Sequence, residues 1–255
     1  MKLMKIVQQQ SGLSRRKARD LIEEGEVTVN EDSETNPFAD YSLKELEKLY
    51  LRGHPLPTYP PKRRGYKFFK PTGMLCSHDD PHYGRTLGRT LRSEGFIGYN
   101  WAGRLDQDAE GLLLLSNDGQ LVHALTHPRY EVEKRYHLWL SEKLGHGELG
   151  RIIEKFMEGI EDRGDLLQIK EGGVINRGKE HTELELTLTE GKKNEIKRLI
   201  EAVDLTIVRL RRLSIGPIDL GDLSPEEFQR VSEEEWNELL QYKEEAIAQR
   251  DNGKG

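Results

Sequence analysis

Cysteine is nearly missing from these 255 residues: Cys76 stands alone. A single thiol excludes intrachain disulfides, zinc fingers and thiolate clusters together, and it points to a reducing, cytoplasmic setting. Long apolar runs are missing as well. The longest unbroken aliphatic stretch is Leu112 to Leu115, far short of the roughly 20 apolar residues that cross a bilayer, so no membrane partner is expected. The opening MKLMKIVQQQ contains no apolar core followed by small residues, and so no export signal. No Walker loop, no G-x-G-x-x-G and no G-x-S-x-G occurs, which leaves nucleotide-driven chemistry and serine hydrolysis without support. His123 and His127 have the i, i+4 spacing of a zinc-binding helix, yet no Glu follows the first and no third ligand is near. The group His78, Asp79, Asp80 and His82 reads as a surface loop without ligand spacing. No metal is expected.

What is present describes an ordinary globular chain, 35% hydrophobic and 33% charged, long enough for about two domains. The formal charge of −6 argues against a nucleic-acid partner only until its distribution is read. Residues 216–255 carry 11 acids and 4 bases, while the preceding residues hold 35 bases and 34 acids. The body is therefore near neutral and its basic clusters are local, as phosphate binding requires.

Leu3, Ile6 and Val7 recur at helical spacing up to Gly12; Ala18, Leu21 and Ile22 resume the pattern between Ser14, a candidate N-cap, and Gly25. Two short helices follow from this. Residues 26–30 alternate as a half-buried strand does, and a hairpin is expected toward Leu56. Lys2, Lys5, Arg15, Arg16, Lys17 and Arg19 precede the first acid, Asp20; a basic face of this kind is either an RNA-docking surface or a solvated one. The proline-rich, basic stretch 57–65 reads as a stiff linker. Beyond it, strands are expected at 66–69, 136–140, 184–188 and 206–213, with a helix carrying Ile196, Leu199, Ile200 and Val203 on one face. Ser232 and Glu235 form a capping box before Trp236, Leu239 and Leu240. Strands and helices interleave without a βαβ rhythm, so the expected fold is α+β with a mixed, largely antiparallel sheet and flanking helices.

The run Gly103-Arg104-Leu105-Asp106 through Gly111-Leu112-Leu113-Leu114-Leu115 to Asn117-Asp118-Gly119 sets a carboxylate at the edge of an apolar strand, beside an arginine. By spacing alone Asp106 is either a chemically tuned group or the cap of a turn. The run resembles the catalytic motif of the pseudouridine synthases, in the RsuA-like ribosomal branch. Lys70-Pro71-x-Gly73 resembles that family's first signature, and His127-Pro128 through Lys134-x-Tyr136 the segment of its active-site tyrosine. Glu190-Gly191-Lys192 through Ile196-Lys197-Arg198, then Leu210-x-Arg212-x-x-Ile215-Gly216-Pro217, resemble its third motif and the strand after it. Ser14-Arg15-Arg16 and Gly25-x-Val27-x-Val29-Asn30 are similar to an S4-like RNA-binding module.

The resemblance covers about 1–235 and implies an S4-like domain at 1–56 and a synthase catalytic domain at 66–235, on either side of the linker at 57–65; it does not explain the acidic C-terminal helix or tail at 236–255. It implies an enzyme that isomerises a specific uridine of ribosomal RNA, free or in a pre-ribosomal particle, as a monomer and with no cofactor. Asp106 would be the nucleophile, attacking either the uracil ring or the ribose anomeric carbon. Tyr136 would pack on the target base, Lys197 pair with the aspartate and Arg104 help hold the nucleotide turned out of the RNA; Lys5, Ser14, Arg15, Arg16 and Arg19 would contact RNA. A carboxylate nucleophile suffices for such an exchange of bonds, provided a cation offsets its desolvation. The rival reading is a non-catalytic RNA-binding or assembly protein on the same scaffold. Ala109 replaces the family's usual Thr or Ser, Asn194 its Arg or His, and Glu195 its Gln. Glu195 is expected to add negative charge beside an RNA-binding helix.

Overall fold

The computed structural model describes residues 1–42, 46–58, 62–177 and 181–252. By internal contacts the chain divides into two units, Met1–Arg64 with Ser77–Asn100, and Gly65–Cys76 with Trp101–Gly255.

In the first unit α1 (Leu3–Ser11) and α2 (Arg15–Glu23) bury Leu3, Ile6, Val7, Ala18 and Ile22 against one another and against a small sheet. Ser14 caps α2, its hydroxyl accepting from the Lys17 N–H at 3.2 Å. The sheet runs β2 (Asp32–Ser33), β1 (Val27–Val29), β3 (Leu49–Leu51), β4 (His54–Leu56), the last two forming the expected hairpin. Ser77–Asn100 lies inside the sequence range 66–235, yet its contacts group it with the N-terminal residues. Helix α3 (Leu87–Ser93) is its core, and Gly98 is where it meets α1. There φ is +77° and a Cβ would lie 2.3 Å from the Gln9 carbonyl oxygen, so only glycine fits. The loop before α3 is tied internally, Asp79 to Arg89 at 2.6 Å and Asp80 to the His82 N–H at 2.9 Å.

The second unit contains β5 (Gly65–Lys70), β6 (Asn100–Ala102) apart from its first residue, β7 (Glu110–Ser116), α4 (Gly119–Thr126), β8 (Lys134–Leu140), α5 (His146–Glu158), and a hairpin of β9 (Ile160–Asp162) and β10 (Asp165–Leu167). It continues with β11 (Glu171–Arg177), β12 (Thr182–Leu188), α6 (Glu195–Glu201), β13 (Ile207–Ile215), β14 (Ile218–Asp219), β15 (Phe228–Arg230) and α7 (Glu233–Asn252). Among the described residues the sheet order is β11-β12-β8-β13-β7-β5-β15, with β14 beside β13 and β6 beside β7. Neighbours in that order are antiparallel except β13 and β7. This is the mixed, largely antiparallel α+β sheet expected.

The leucine run becomes β7 because that strand is buried at every position. Leu112 and Leu114 pack with α4 and α7 through Leu121, Leu125 and Leu239, while Leu113 lies opposite Phe68 in the register of β5; a strand covered on both faces tolerates a continuous apolar run. β12 alternates buried with half-buried positions throughout, the pattern of a strand packed on one face. The Ser232–Glu235 capping box forms in both directions, at 2.8 and 3.1 Å, and starts α7. Within the 57–65 stretch, residues 59–61 lie outside those described, and residues 62–64 are exposed. Likewise residues 253–255 of the acidic end lie outside those described.

Candidate active site

A cleft in the second unit has a floor of Lys134 and Tyr136 from β8 with Leu210 and Arg212 from β13. The turn before β7 brings Gly103, Arg104 and Asp106 to one wall, and the segment 190–197 leading into α6 forms the other. Arg104, Asp106, Tyr136 and Lys197, scattered over more than ninety residues of sequence, all line it.

Lys70 fixes the wall that carries Asp106. It is fully buried, and its ammonium donates to the carbonyls of Ala109 at 2.6 Å, Pro71 at 2.9 Å and Gln107 at 3.5 Å. The Gly73 N–H adds a bond to the Gln107 carbonyl at 2.7 Å. The Lys-Pro-x-Gly signature therefore holds the backbone of the turn that ends in β7. The Asp106 carbonyl accepts from the Ala109 N–H at 3.2 Å, closing that turn by backbone alone, while the Asp106 side chain faces Lys197 and Asn194.

Lys197 sits between two carboxylates, 3.5 Å from Asp106 Oδ2 and 2.5 Å from Asp108 Oδ1. Burial works against its charge, but the bond to Asp108 and the charges of both aspartates overcome this and hold its pKa above the ordinary lysine value. Burial also opposes the charge of Asp108, and Lys197 outweighs it, leaving that carboxyl below its usual range. Asn194, with φ of 54°, has its side-chain amide against Asp106; assigned with its nitrogen toward the carboxylate, that amide lies 3.1 Å from Oδ1 and 2.9 Å from Oδ2. The opposite amide orientation would set a carbonyl oxygen against the carboxylate.

Tyr136 is half-buried and lies directly across from Arg212 in the β8–β13 register. Arg212 is 1% exposed; its Nε donates to the Leu112 carbonyl at 2.8 Å and Nη1 to the Arg104 carbonyl at 3.3 Å, so it also holds the Asp106 wall. Among the described residues its Nη2 has no hydrogen-bond partner. Lys134, 7% exposed, donates to the Val132 carbonyl at 2.7 Å. Burial, and then the charge of Arg212, push its pKa down to about 8, with Glu195 pulling the other way.

Glu195, expected to add negative charge beside an RNA-binding helix, stands in the first turn of α6 and is buried there. It is 5% exposed, and its carboxylate accepts from the Lys192 N–H at 2.9 Å, closing the turn into α6. Burial raises its pKa above the ordinary glutamate value. Sequence reasoning named neither Lys134 nor Arg212 as site residues. The signal was there: each shares the buried face of its strand, Lys134 in phase with Leu138 and Leu140, Arg212 in phase with Leu210.

Outside the cleft floor, the rings of His123 and His127 are 5.1 Å apart beside Tyr130. No group of three side chains able to hold a metal occurs among the described residues. In the first unit Lys5, Arg15, Arg16 and Arg19 are exposed on α1 and α2, and Arg19 lies 3.6 Å from Glu23. Ser14 is engaged as the cap of α2.

Residues 68–202 match the model of the RNA pseudouridylate synthase family, and residues 1–37 that of the S4 domain. The chain belongs to the RNA pseudouridylate synthase family. It is 34% identical to the ribosomal small subunit pseudouridine synthase A of Vibrio cholerae, over 92% of this chain and 97% of that protein. The protein of the same name from Escherichia coli is also 34% identical, over 92% of this chain and 98% of that one. A crystal structure of a pseudouridylate synthase matches 94% of this chain and 99% of its own, at 27% identity and a TM-score of 0.63. As a member of this family the chain is an enzyme that isomerises uridine in RNA, and its S4 domain is an RNA-binding module.

Proposed function

We propose that this synthase acts on a uridine of small-subunit ribosomal RNA, with Asp106 as its nucleophile and no cofactor. The substrate follows from the two relatives at 34% identity, both named for the small ribosomal subunit. The observation that carries the chemistry is the meeting of the Asp106 carboxylate, the Lys197 cation and the Tyr136 ring in one cleft.

The net reaction breaks the bond between ribose C1′ and uracil N1 and forms one between C1′ and C5. The C5 proton leaves and N1 gains one. Asp106 adds either to C1′, releasing the base and being displaced when C5 bonds to C1′, or to the ring, from which it is eliminated together with the C5 proton after the new bond has closed. The target must leave the RNA stack, at a cost of a few kcal/mol, and the Tyr136 face recovers part of it. Arg104, exposed at the cleft edge, would help hold the extruded nucleotide by meeting the RNA backbone around it. Negative charge that develops on the freed uracil is met by the buried cations Lys134 and Arg212 on the cleft floor, where low dielectric strengthens the attraction.

The test is tritium release from ribosomal RNA carrying 5-tritiated uridine. Asp106→Asn keeps the shape of the side chain but is no anionic nucleophile; it should bind RNA like the parent and release no tritium. Full release by the purified variant would sink the mechanism, and loss of activity in EDTA, restored by zinc at constant magnesium, would sink the cofactor-free reading. Comparing pseudouridines in small-subunit RNA from cells with and without the protein tests the substrate. An unchanged map there, with altered large-subunit RNA, would move the target to the other subunit.

A further inference from the structure

Lys197 is the expected partner of Asp106, yet its shorter contact is with Asp108, at 2.5 Å against 3.5 Å. The amide of Asn194 lies nearer, reaching both oxygens of Asp106 at 2.9 and 3.1 Å. We propose that Asn194 is a positioning residue, which orients the Asp106 carboxylate through two N–H contacts and sets its angle of approach to the nucleotide. This rests on the reading of Asp106 as the nucleophile.

The backbone holds the donor in place. Asn194 precedes α6 with φ of 54° and ψ of 31°, the left-handed region in which asparagine is among the few side chains commonly found. The turn before it is closed twice at Lys192, by the Glu195 carboxylate at 2.9 Å and by the Glu195 N–H to the Lys192 carbonyl at 3.2 Å. The Asn194 carbonyl then accepts the first bond of the helix, from the Arg198 N–H at 2.9 Å. A short side chain on so constrained a turn has few rotamers to lose, so little entropy opposes the contact. A neutral donor also orients the carboxylate without placing a full cation on it, leaving its charge available for attack. Asparagine meets both requirements, the left-handed backbone and the donor.

Asn194→Gly separates the two, since glycine keeps the left-handed backbone without strain and removes only the donor. Single-turnover tritium release from small-subunit RNA, with the full chain, is the measurement. The expected result is a rate reduced about 10- to 100-fold, the scale on which misplaced reacting groups lose rate, with RNA affinity and melting temperature unchanged. Asn194→His, which again offers an N–H, should recover most of the rate, and Asn194→Asp, which sets a carboxylate against Asp106, should be slower than the glycine variant. A glycine variant with parental single-turnover rate overturns the proposal, and so does a loss confined to RNA affinity. Asp106→Ala is run beside them: if it stays active, the nucleophile reading fails, whereas an inactive Asp106→Ala with a fully active Asn194→Gly removes only the role of Asn194.

Discussion

Lys134 places an ammonium on a cleft floor where burial opposes it, and its two expected effects on the enzyme run in opposite directions with pH. Its pKa in the fold is about 8, against an ordinary value of 10.5. Between those values the unfolded chain binds more protons than the native one, so stability rises with pH across this window. Lys70, also held down to about 8 by burial, contributes with the same sign. Turnover should fall over the same window, because the ammonium that meets the developing uracil charge is lost. Lys134→Met is therefore expected to be as stable as the parent or more so at neutral pH, yet slower by about 10- to 100-fold. Denaturant unfolding and single-turnover rates from pH 7 to 10 check both limbs; a variant with parental rate would remove Lys134 from the chemistry. Tyr136 offers a second residue-scale test. Phe keeps the ring and Ala deletes a stacking surface worth about 1–3 kcal/mol per base, so Ala should be much the slower of the two, and equal rates per folded molecule would make Tyr136 a core residue only. Asp106, Tyr136, Lys197 and Arg104 were legible because they stand inside dense local motifs. Lys134 and Arg212 stand in such motifs too, in phase with the apolar residues of their strands, but a lone cation in that phase does not show that it is buried until its neighbours across the sheet are known.

At the scale of elements, the parallel junction of β13 with β7 decides where the Asp106 turn sits, and Gly111 permits it. Its φ is +108°, and a Cβ there would lie 2.3 Å from the Arg212 carbonyl oxygen and 2.7 Å from the Arg212 nitrogen. Backbone cannot yield as a side chain does. Gly111→Ala should cost about 3–5 kcal/mol, from overpacking and left-handed strain together, and lower activity chiefly through loss of folded protein. Parental thermal and denaturant midpoints would show that the junction tolerates a methyl group. The glycine in the Asp106 motif is thus a packing requirement of the element behind the nucleophile. Strands β7, β8, β12 and β13 were legible because each is long enough to show its burial pattern. The hairpin of β9 and β10 was not, at three residues per strand, and β11 hides its pattern behind Gly172 and Gly173. Helix α5 was readable from Leu149, Ile152, Ile153 and Phe156 at helical spacing, a signal the motif-centred reading passed over.

Across the whole molecule the charges divide by task, and the acidic end that the family resemblance left unexplained has a structural role. Glu233, Glu234 and Glu235 occupy the first turn of α7, where negative charge favours a helix N-terminus. Trp236, Leu239 and Tyr242 pack that helix into the core beneath β7. The basic end does the reverse. Arg15, Arg16 and Lys17 fill the first turn of α2, against the helix dipole, and all three are exposed. Cations so placed cost the helix stability, a cost that fits the proposal that they meet RNA phosphates. Charge reversal at Arg15, Arg16 and Arg19 should therefore leave the melting temperature unchanged or raise it, although Arg19 gives up its ion pair with Glu23. RNA affinity should fall, and the slope of log affinity against log salt should flatten by about 0.7–0.9 for each phosphate no longer neutralised. Catalysis at saturating RNA should persist, because the cleft residues are untouched. Neutralising the exposed Glu244 and Glu245 of α7 to Gln is the control for net charge; it shifts the molecule's total while leaving Arg15, Arg16 and Arg19 in place, so the salt slope should stay at the parental value. A triple variant with the parental slope would make the basic face a solvated surface, and an opposite change about a third as large in the Gln control, matching its smaller and opposite shift in charge, would trace the effect to overall charge.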